Sequence, residues 1–542
     1  MRVFISAIFI GLSSLMFAQN TLGLLHYDST SYNGVTLFSP ASYNETYLID
    51  NCGNKLNSWA NQEQPGMSCY LIDDAQLLRS GRLLSSGFPS PGIGGVVEIK
   101  DWHNNTLWRY TIANDSIHAH HDIHPLDNGN VLVLVWEKHS RQKAILAGRD
   151  SNLLGSELWM EALVELKPIG QDSAEIVWYW SAWDHLIQEL DSTKSNYGIV
   201  SEHPEKININ YLSPGQSAND PDWLHANGID YNEHWKQIAI SIRSFSEIWI
   251  IDHSTSRAEA ASSSGGLYGK GGDLLYRYGN PASYNKGGFE DQKFIYQHSV
   301  QWIPKGYPYE GKLQVFNNRS GQDSSELVIF SPPQDLLGQY QLNANGVFGP
   351  DSFDFSMRRP DIYSAITSNF QVLPNGNMMA VAGSGGKVLE FSPNGDLLWS
   401  YINPVNVNGP MVQGDSPFQN MIFRATKYRF NDPVFDHVSW QNLGPIEQNP
   451  SASNCSVSYH NLGQTTSYSI EEIIVFEHDS KIFTNSEELI ELTIYNTLGQ
   501  FVTKGKASKS QGLLISRLAT GVYIYQGDLN GQIISGTISK AF

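Results

Sequence analysis

Residues 118–130 read HAHHDIHPLDNGN, with four histidines in seven positions of a chain that holds 16. Further on, WLHANGID places His225 two residues before Asn227, and the strand that follows ends in SIR at Arg243. A third stretch, YQHSVQW, carries Gln297 and His298. Imidazole changes charge near neutral pH, so it can serve there as nucleophile, acid or base. A guanidinium is permanently cationic and grips anionic oxygens through a fixed fork of donors. Histidines grouped with an arginine suit chemistry on a small anion, provided that the fold brings them together.

The elements that must do so are hairpins of two kinds. In the first, an apolar strand and a turn with Gly or Asn lead to a strand ending in Trp. It recurs as YLIDNCGNKLNSW (47–59), VVEIKDWHNNTLW (96–108), LVELKPIGQDSAEIVW (163–178) and VLEFSPNGDLLW (388–399), with looser copies at 248–279 and 326–357. Hairpins of the second kind lie between them, at 69–81, 120–136, 225–243, 298–319 and 370–383. Alternation of the two at a long period predicts four-stranded blades and an all-β fold, a six-bladed β-propeller over residues 25–440. The missing second-kind hairpin is expected from FRATKYRF (423–430), which would pair with the first outer hairpin and fasten the ring. Inner strands of a propeller meet around one channel. His121, His225 and His298 stand near the starts of three inner hairpins, with Arg243 at the end of one, so convergence is expected. In a regularly extended strand His118, His120 and His124 have the opposite parity to His121, which would turn them away as structural or surface residues. No supporting carboxylate or cysteine pattern makes the cluster a zinc site, so no metal and no cofactor is expected.

Of 542 residues, 41% are hydrophobic, enough for a sizeable core, and 47 glycines with 24 prolines supply many turns. The net charge of −19 argues against nucleic acid, whose phosphates need a basic surface. An anionic substrate needs a locally positive pocket, which Arg243 would provide. The start, MRVFISAIFIGLSSLMFAQN, reads as a secretory signal peptide over residues 1–18, with the mature protein secreted or held at the outer-membrane surface. Of three cysteines, Cys52 and Cys69 sit on what read as neighbouring strands and could pair or remain buried thiols, while Cys455 stands alone in a polar linker, 441–465.

HHDIHPLDNGN, DWLHANGIDYNEHWKQIAISIRSFSEIWIIDH and IYQHSVQWIP, in this order, resemble the bacterial aryl-sulfate sulfotransferases, across most of residues 25–440. The resemblance implies a six-bladed propeller that moves a sulfuryl group from an aryl sulfate donor to a phenolic acceptor without a nucleotide. It implies a nucleophile at His298, forming a sulfohistidine, and active-site roles for His121, His225 and Arg243. Asn227 matches the family motif beside His225. Asn317 and Asn318 stand where some members carry an Asp-Asn pair, so these three are expected to contact substrate. The chemistry agrees with the residue types: a neutral imidazole attacks sulfur, fixed donors hold its oxygens, and a second histidine protonates the leaving phenolate. Two other functions fit the fold: a catalytically inactive propeller binding a ligand or partner at the cell surface, or a metal-dependent hydrolase or lyase.

The tail, with LTIYNTLGQFV and ISRLATGVYIYQGDLNGQIISGTISKAF, resembles the C-terminal sorting domain of the type IX secretion system. That implies a small β-sandwich over 466–542 and that secretion machinery as a partner. A homo-oligomer is compatible with the sequence.

Overall fold

A computed structural model describes residues 20–451 and 455–457. In the C-terminal region it describes 475–478, 481–484, 490–496, 500–515, 518, 521–529 and 532–540. The expected leader, 1–18, lies outside the described residues. The chain divides into two units at 459/460.

Among the described residues of the first unit, six large antiparallel sheets form, five of four strands and one of five. From the innermost strand outward, the first is Ile422–Arg429, Gly34–Pro40, Glu45–Ile49 and Lys55–Ala60. The other five run in chain order, their innermost strands being Pro65–Ile72, Ile117–Pro125, Ala226–Asn232, His298–Trp302 and Ser368–Val372. The inner strand of the first sheet thus comes from the far end of the unit, Gly34 pairing with Arg429. Gly23–Tyr27 adds a fifth strand to the sixth sheet by pairing with Leu397–Ile402, so the ring is fastened twice.

Neighbouring sheets are tied at both radii. Near the axis, Arg424 of the first sheet reaches Tyr70 of the second and Asp122 of the third. The Ile229 amide of the fourth donates to Asp122 (3.0 Å), and the Trp302 amide of the fifth donates to Asp230 of the fourth (2.7 Å). Val372 of the sixth donates to Gln314 of the fifth, and Asn369 exchanges two hydrogen bonds with Ala425 of the first. Farther out, the recurrent tryptophans explain themselves. The indoles of Trp59, Trp108, Trp178 and Trp399 donate to Asp101, Ser173, Thr255 and Asn51, each in the outer part of the next sheet. Tyr276 and Arg359 do the same to the carbonyls of Gly349 and Gly395. Each buries a large ring or stem while its polar tip meets a carbonyl or hydroxyl, so an amphipathic side chain is needed there.

Two expectations need correction. The segment 441–465 is not all linker: Leu443 and Gly444 pair with Lys55, and Ile446 packs into the core with Tyr401 and Trp399. Cys52 bonds to Cys455, 403 residues away, and not to Cys69, which is a buried free thiol beside the Ser39 hydroxyl. Cys52 lies in an outer turn and Cys69 on an inner strand, so they belong to different radii of the ring.

In the second unit, Val475–His478, Lys481–Thr484 and Leu513–Leu514 form one sheet. Phe501–Ala507, Ile490–Asn496, Gly521–Leu529 and Gln532–Lys540 form another, in that spatial order. Ile482 of the first packs with Ile490, Leu492, Ile494 and Tyr525 of the second.

Candidate active site

The inner strands do not begin as regular strands. Met67, His121, His225, Ser299 and Thr367, within or just before five of them, have φ between 48° and 104°. In the third sheet Val133 pairs with Ile123 and Val135 with Ala119, so His120, His121 and Asp122 lie opposite Leu134 alone. Similar register shifts fall at Ala226/Gly228 and His298/Gln301. Left-handed backbone costs a non-glycine residue roughly 1–2 kcal/mol, and its repetition around the ring marks a position held for a purpose. Each bulge re-aims one side chain toward the axis.

The result is one cavity of about 300 Å³, lined by His121, His225, Arg243 and His298, with Met67, Ile366, Met421 and Phe423 as apolar wall. The rings of His121 and His225 are 4.7 Å apart. Gly92, at φ 85°, approaches so closely that an added Cβ would lie 2.0 Å from the His121 ring.

Hydrogen bonds orient each imidazole. Nδ1 of His298 is 2.8 Å from Oδ1 of Asn318, whose own amide donates to Ser364, so that oxygen is presented as the acceptor. His298 therefore carries its proton on Nδ1, and among the described residues the Nε2 lone pair receives only the Thr367 amide, at 3.3 Å. Nδ1 of His225 lies 2.6 Å from Asp222, which also accepts from Ser90 (2.6 Å) and from the Trp136 indole (3.1 Å). Nδ1 of His121 faces Nδ1 of His120 at 2.9 Å. Arg243 stacks on Tyr296, 4.6 Å from the ring centre, and forms no ion pair among the described residues.

Burial, with Arg243 close by, lowers His298 to about 3, so its imidazole is neutral at physiological pH. Burial and three neighbouring histidines hold His121 well below the usual histidine value. Burial alone would raise Asp222, but His225 and Ser90 outweigh it and keep this carboxylate below its ordinary range. Glu161, also buried and close to the negative Asp222, is pushed well above its own. An unpaired guanidinium beside a neutral imidazole makes a site for an anion with an electrophilic centre.

The structure thus brings the three predicted histidines and Arg243 to one cavity. The three asparagines do not line it. Asn227 donates to the Gln297 carbonyl (2.8 Å), Asn317 accepts from the Ile295 amide (2.8 Å), and Asn318 stands behind His298. All three are buried, and their hydrogen bonds hold the His298 segment. His120 does not line the cavity either; the bulge leaves it buried directly behind His121, the two Nδ1 atoms facing each other. His118 is buried too, and His124 partly so, and neither lines the cavity. Asp222 escaped the sequence reading, although an Asp three residues before His225 is a visible signal. Glu161, Gly92 and Phe423 carry no local signal. Among the described residues, no group of three or more His, Cys, Asp or Glu is arranged to hold a metal ion.

The family model described as Arylsulfotransferase (ASST) matches residues 94–396, more than half of the chain. No curated protein matches the chain. Among solved structures it is similar to a protein of unknown function from Bacteroides caccae, at 12% identity and TM-score 0.39, over 73% of this chain and 100% of that one. It is also similar to the periplasmic gluconolactonase PpgL of Pseudomonas aeruginosa, at 12% identity and TM-score 0.35, over 68% and 97% of the two chains. A third is the β-propeller domain of Cps50 (Swd1) from Myceliophteria thermophila, at 8% identity and TM-score 0.34, over 70% and 89%.

Proposed function

The chain belongs to the arylsulfotransferase family, and on that premise we propose that it carries a sulfuryl group from an aryl sulfate ester to a phenol by way of a sulfohistidine at His298. The observation that carries the reading is the neutral His298 imidazole, its Nδ1 proton committed to Asn318, in a cavity with the unpaired Arg243. The Nε2 lone pair attacks sulfur and the bond from sulfur to the aryl oxygen breaks. That oxygen takes a proton from Nε2 of His225, whose imidazolium is supported by the Asp222 carboxylate. Arg243 and His121 hold the sulfuryl oxygens, as preorganised donors to developing charge. The free phenol leaves. An acceptor phenol then returns a proton to His225, its oxygen attacks sulfur, and the nitrogen–sulfur bond breaks to restore His298. Phe423, Met421 and Ile366 offer an apolar wall to the ring of either phenol.

Incubation with a chromogenic aryl sulfate tests this: a phenol acceptor should accelerate colour release, and donor alone should leave one sulfuryl mass on the peptide containing His298. An active His298→Ala variant, or an adduct on another residue, would overturn the assignment.

We propose further that the leader exports the chain and that the tail directs it through type IX secretion to the surface or the medium, with the sequence resemblance as support. Removal of 466–542 should leave transfer by the purified protein intact and abolish its delivery outside the cell. A truncated protein delivered normally would refute that role.

A further inference from the structure

Behind His121 lies a row of buried groups that the transfer itself does not use. Nδ1 of His120 faces Nδ1 of His121 at 2.9 Å, and Nε2 of His120 is 2.8 Å from Oε2 of Glu161. The His120 and Glu161 side chains are 0% and 2% exposed. The other Glu161 oxygen accepts the Ala226 amide at 2.8 Å, and the Trp136 ring stacks on His120 at 4.0 Å, only 3° from parallel. The row is thus fixed at every member, and each link holds one proton.

One proton per link permits two arrangements. In one, Glu161 is a carboxylate: His120 donates to it, His121 donates from Nδ1 to His120, and His121 turns a bare Nε2 lone pair toward the cavity. In the other, Glu161 is a carboxylic acid: its O–H donates to His120, His120 donates to Nδ1 of His121, and His121 presents Nε2–H to the cavity. A lone pair there would repel sulfuryl oxygens, whereas an N–H would bind them.

We propose that Glu161, as a neutral acid, and His120 are positioning residues that hold His121 in its Nε2–H form as a donor to the sulfuryl oxygens. The inference rests on the sulfuryl-transfer reading of the cavity and names what sets one of its donors. The groups facing Glu161 agree with it. From the inner strand of the third sheet these are His120 and, through it, His121; from the turn before the fourth sheet, Asp222 and His225. Burial and the Asp222 carboxylate both disfavour a second negative charge. Two neighbouring carboxyls are thereby driven apart, Asp222 ionised behind His225 and Glu161 protonated behind His121.

The test uses the full chain and the isosteric Glu161→Gln. Its amide N–H replaces the acid O–H toward His120, and its oxygen still accepts the Ala226 amide. Turnover should stay within about threefold of wild type, against the 10–100-fold loss typical of removing a supporting partner, expected for Glu161→Ala. In the wild type, rising pH ionises Glu161, reverses the row and lowers turnover; in Glu161→Gln that alkaline decline should vanish. Nitrogen NMR of histidine-labelled protein should show His121 protonated on Nε2 in both, without substrate. A Glu161→Gln protein as impaired as Glu161→Ala, an unchanged alkaline decline, or His121 protonated on Nδ1 would each overturn the proposal. A wild type that carries the Nε2–H form but transfers no sulfuryl group would sink the transfer reading and leave the tautomer assignment standing.

Discussion

At the scale of single residues, the site works by separating chemically similar groups through their partners. His298, His225 and His121 line one cavity, yet their Nδ1 atoms face an amide oxygen, a carboxylate and another imidazole. The Asn318 partner is neutral, so it fixes the His298 tautomer without favouring its protonation as a carboxylate would. Asn318→Asp should therefore raise the His298 pKa from about 3. Protonated imidazole is no nucleophile, so the acid limb of the rate profile should move upward. The variant should lose rate between pH 5 and 6.5, roughly the range below the ordinary histidine value, where the wild type is unaffected. Coincident acid limbs in the two profiles would show that Asn318 does not set His298.

At the scale of elements, the inner-strand bulge is the device that turns a repeated hairpin into a site. A regular strand would send successive side chains to opposite faces. The left-handed residue at 121 breaks that alternation, so His121 reaches the cavity while His120 backs it. The bulge leaves space for nothing larger than Gly92 against the His121 ring. Gly92→Ala should displace that ring and cost about 10²–10³-fold in kcat/KM, the scale of a lost preorganised donor. Substitution at φ 85° adds strain, so the melting temperature should drop as well. A variant with unchanged kcat/KM would mean that the position of His121 is immaterial.

At the scale of the whole molecule, the same inner strands carry a second polar set that binds the ring to itself. Arg424, Tyr70, Asp122 and Asp230 come from the first four sheets and are all buried. Arg424 and Asp122 are paired, which offsets part of the cost of burying charge. Burial raises Asp230 to about 7, against the hydrogen bond from the Trp302 amide. A carboxyl whose folded pKa is raised contributes stability that is fully present below its unfolded value, near 4, and is lost as pH rises through about 7. Asp230→Asn cannot ionise and keeps an acceptor for Trp302. Its stability relative to wild type should rise between pH 4 and 7, by up to about 1.4 kcal/mol per unit. Denaturation midpoints at pH 5 and pH 8 check this, and a gap between the two proteins that does not change with pH would contradict it.

The sequence by itself determined that the chain is built of strands, their grouping in hairpins of two kinds, and which segments supply the inner strands. Those features are local: alternation of apolar and polar residues, Asn-Gly turns, and a Trp whose indole must reach the next sheet. Because the hairpins repeat, like positions fall at like places, and His121, His225 and His298 were legible as one set. The tertiary structure decided the rest. His120 stands against His121, behind the cavity, because the bulge lets the two neighbouring rings meet. Cys52 finds Cys455 because the turn after Glu45–Ile49 meets the returning chain end, not because of spacing. Glu161 is pushed up and Asp222 held down because of what buries and faces each one. Arg243 is left able to meet an anion because no carboxylate came to pair with it among the described residues. Pairing, desolvation and charge depend on distances between residues far apart in the chain, and a single sequence records residue types and local order but not those distances.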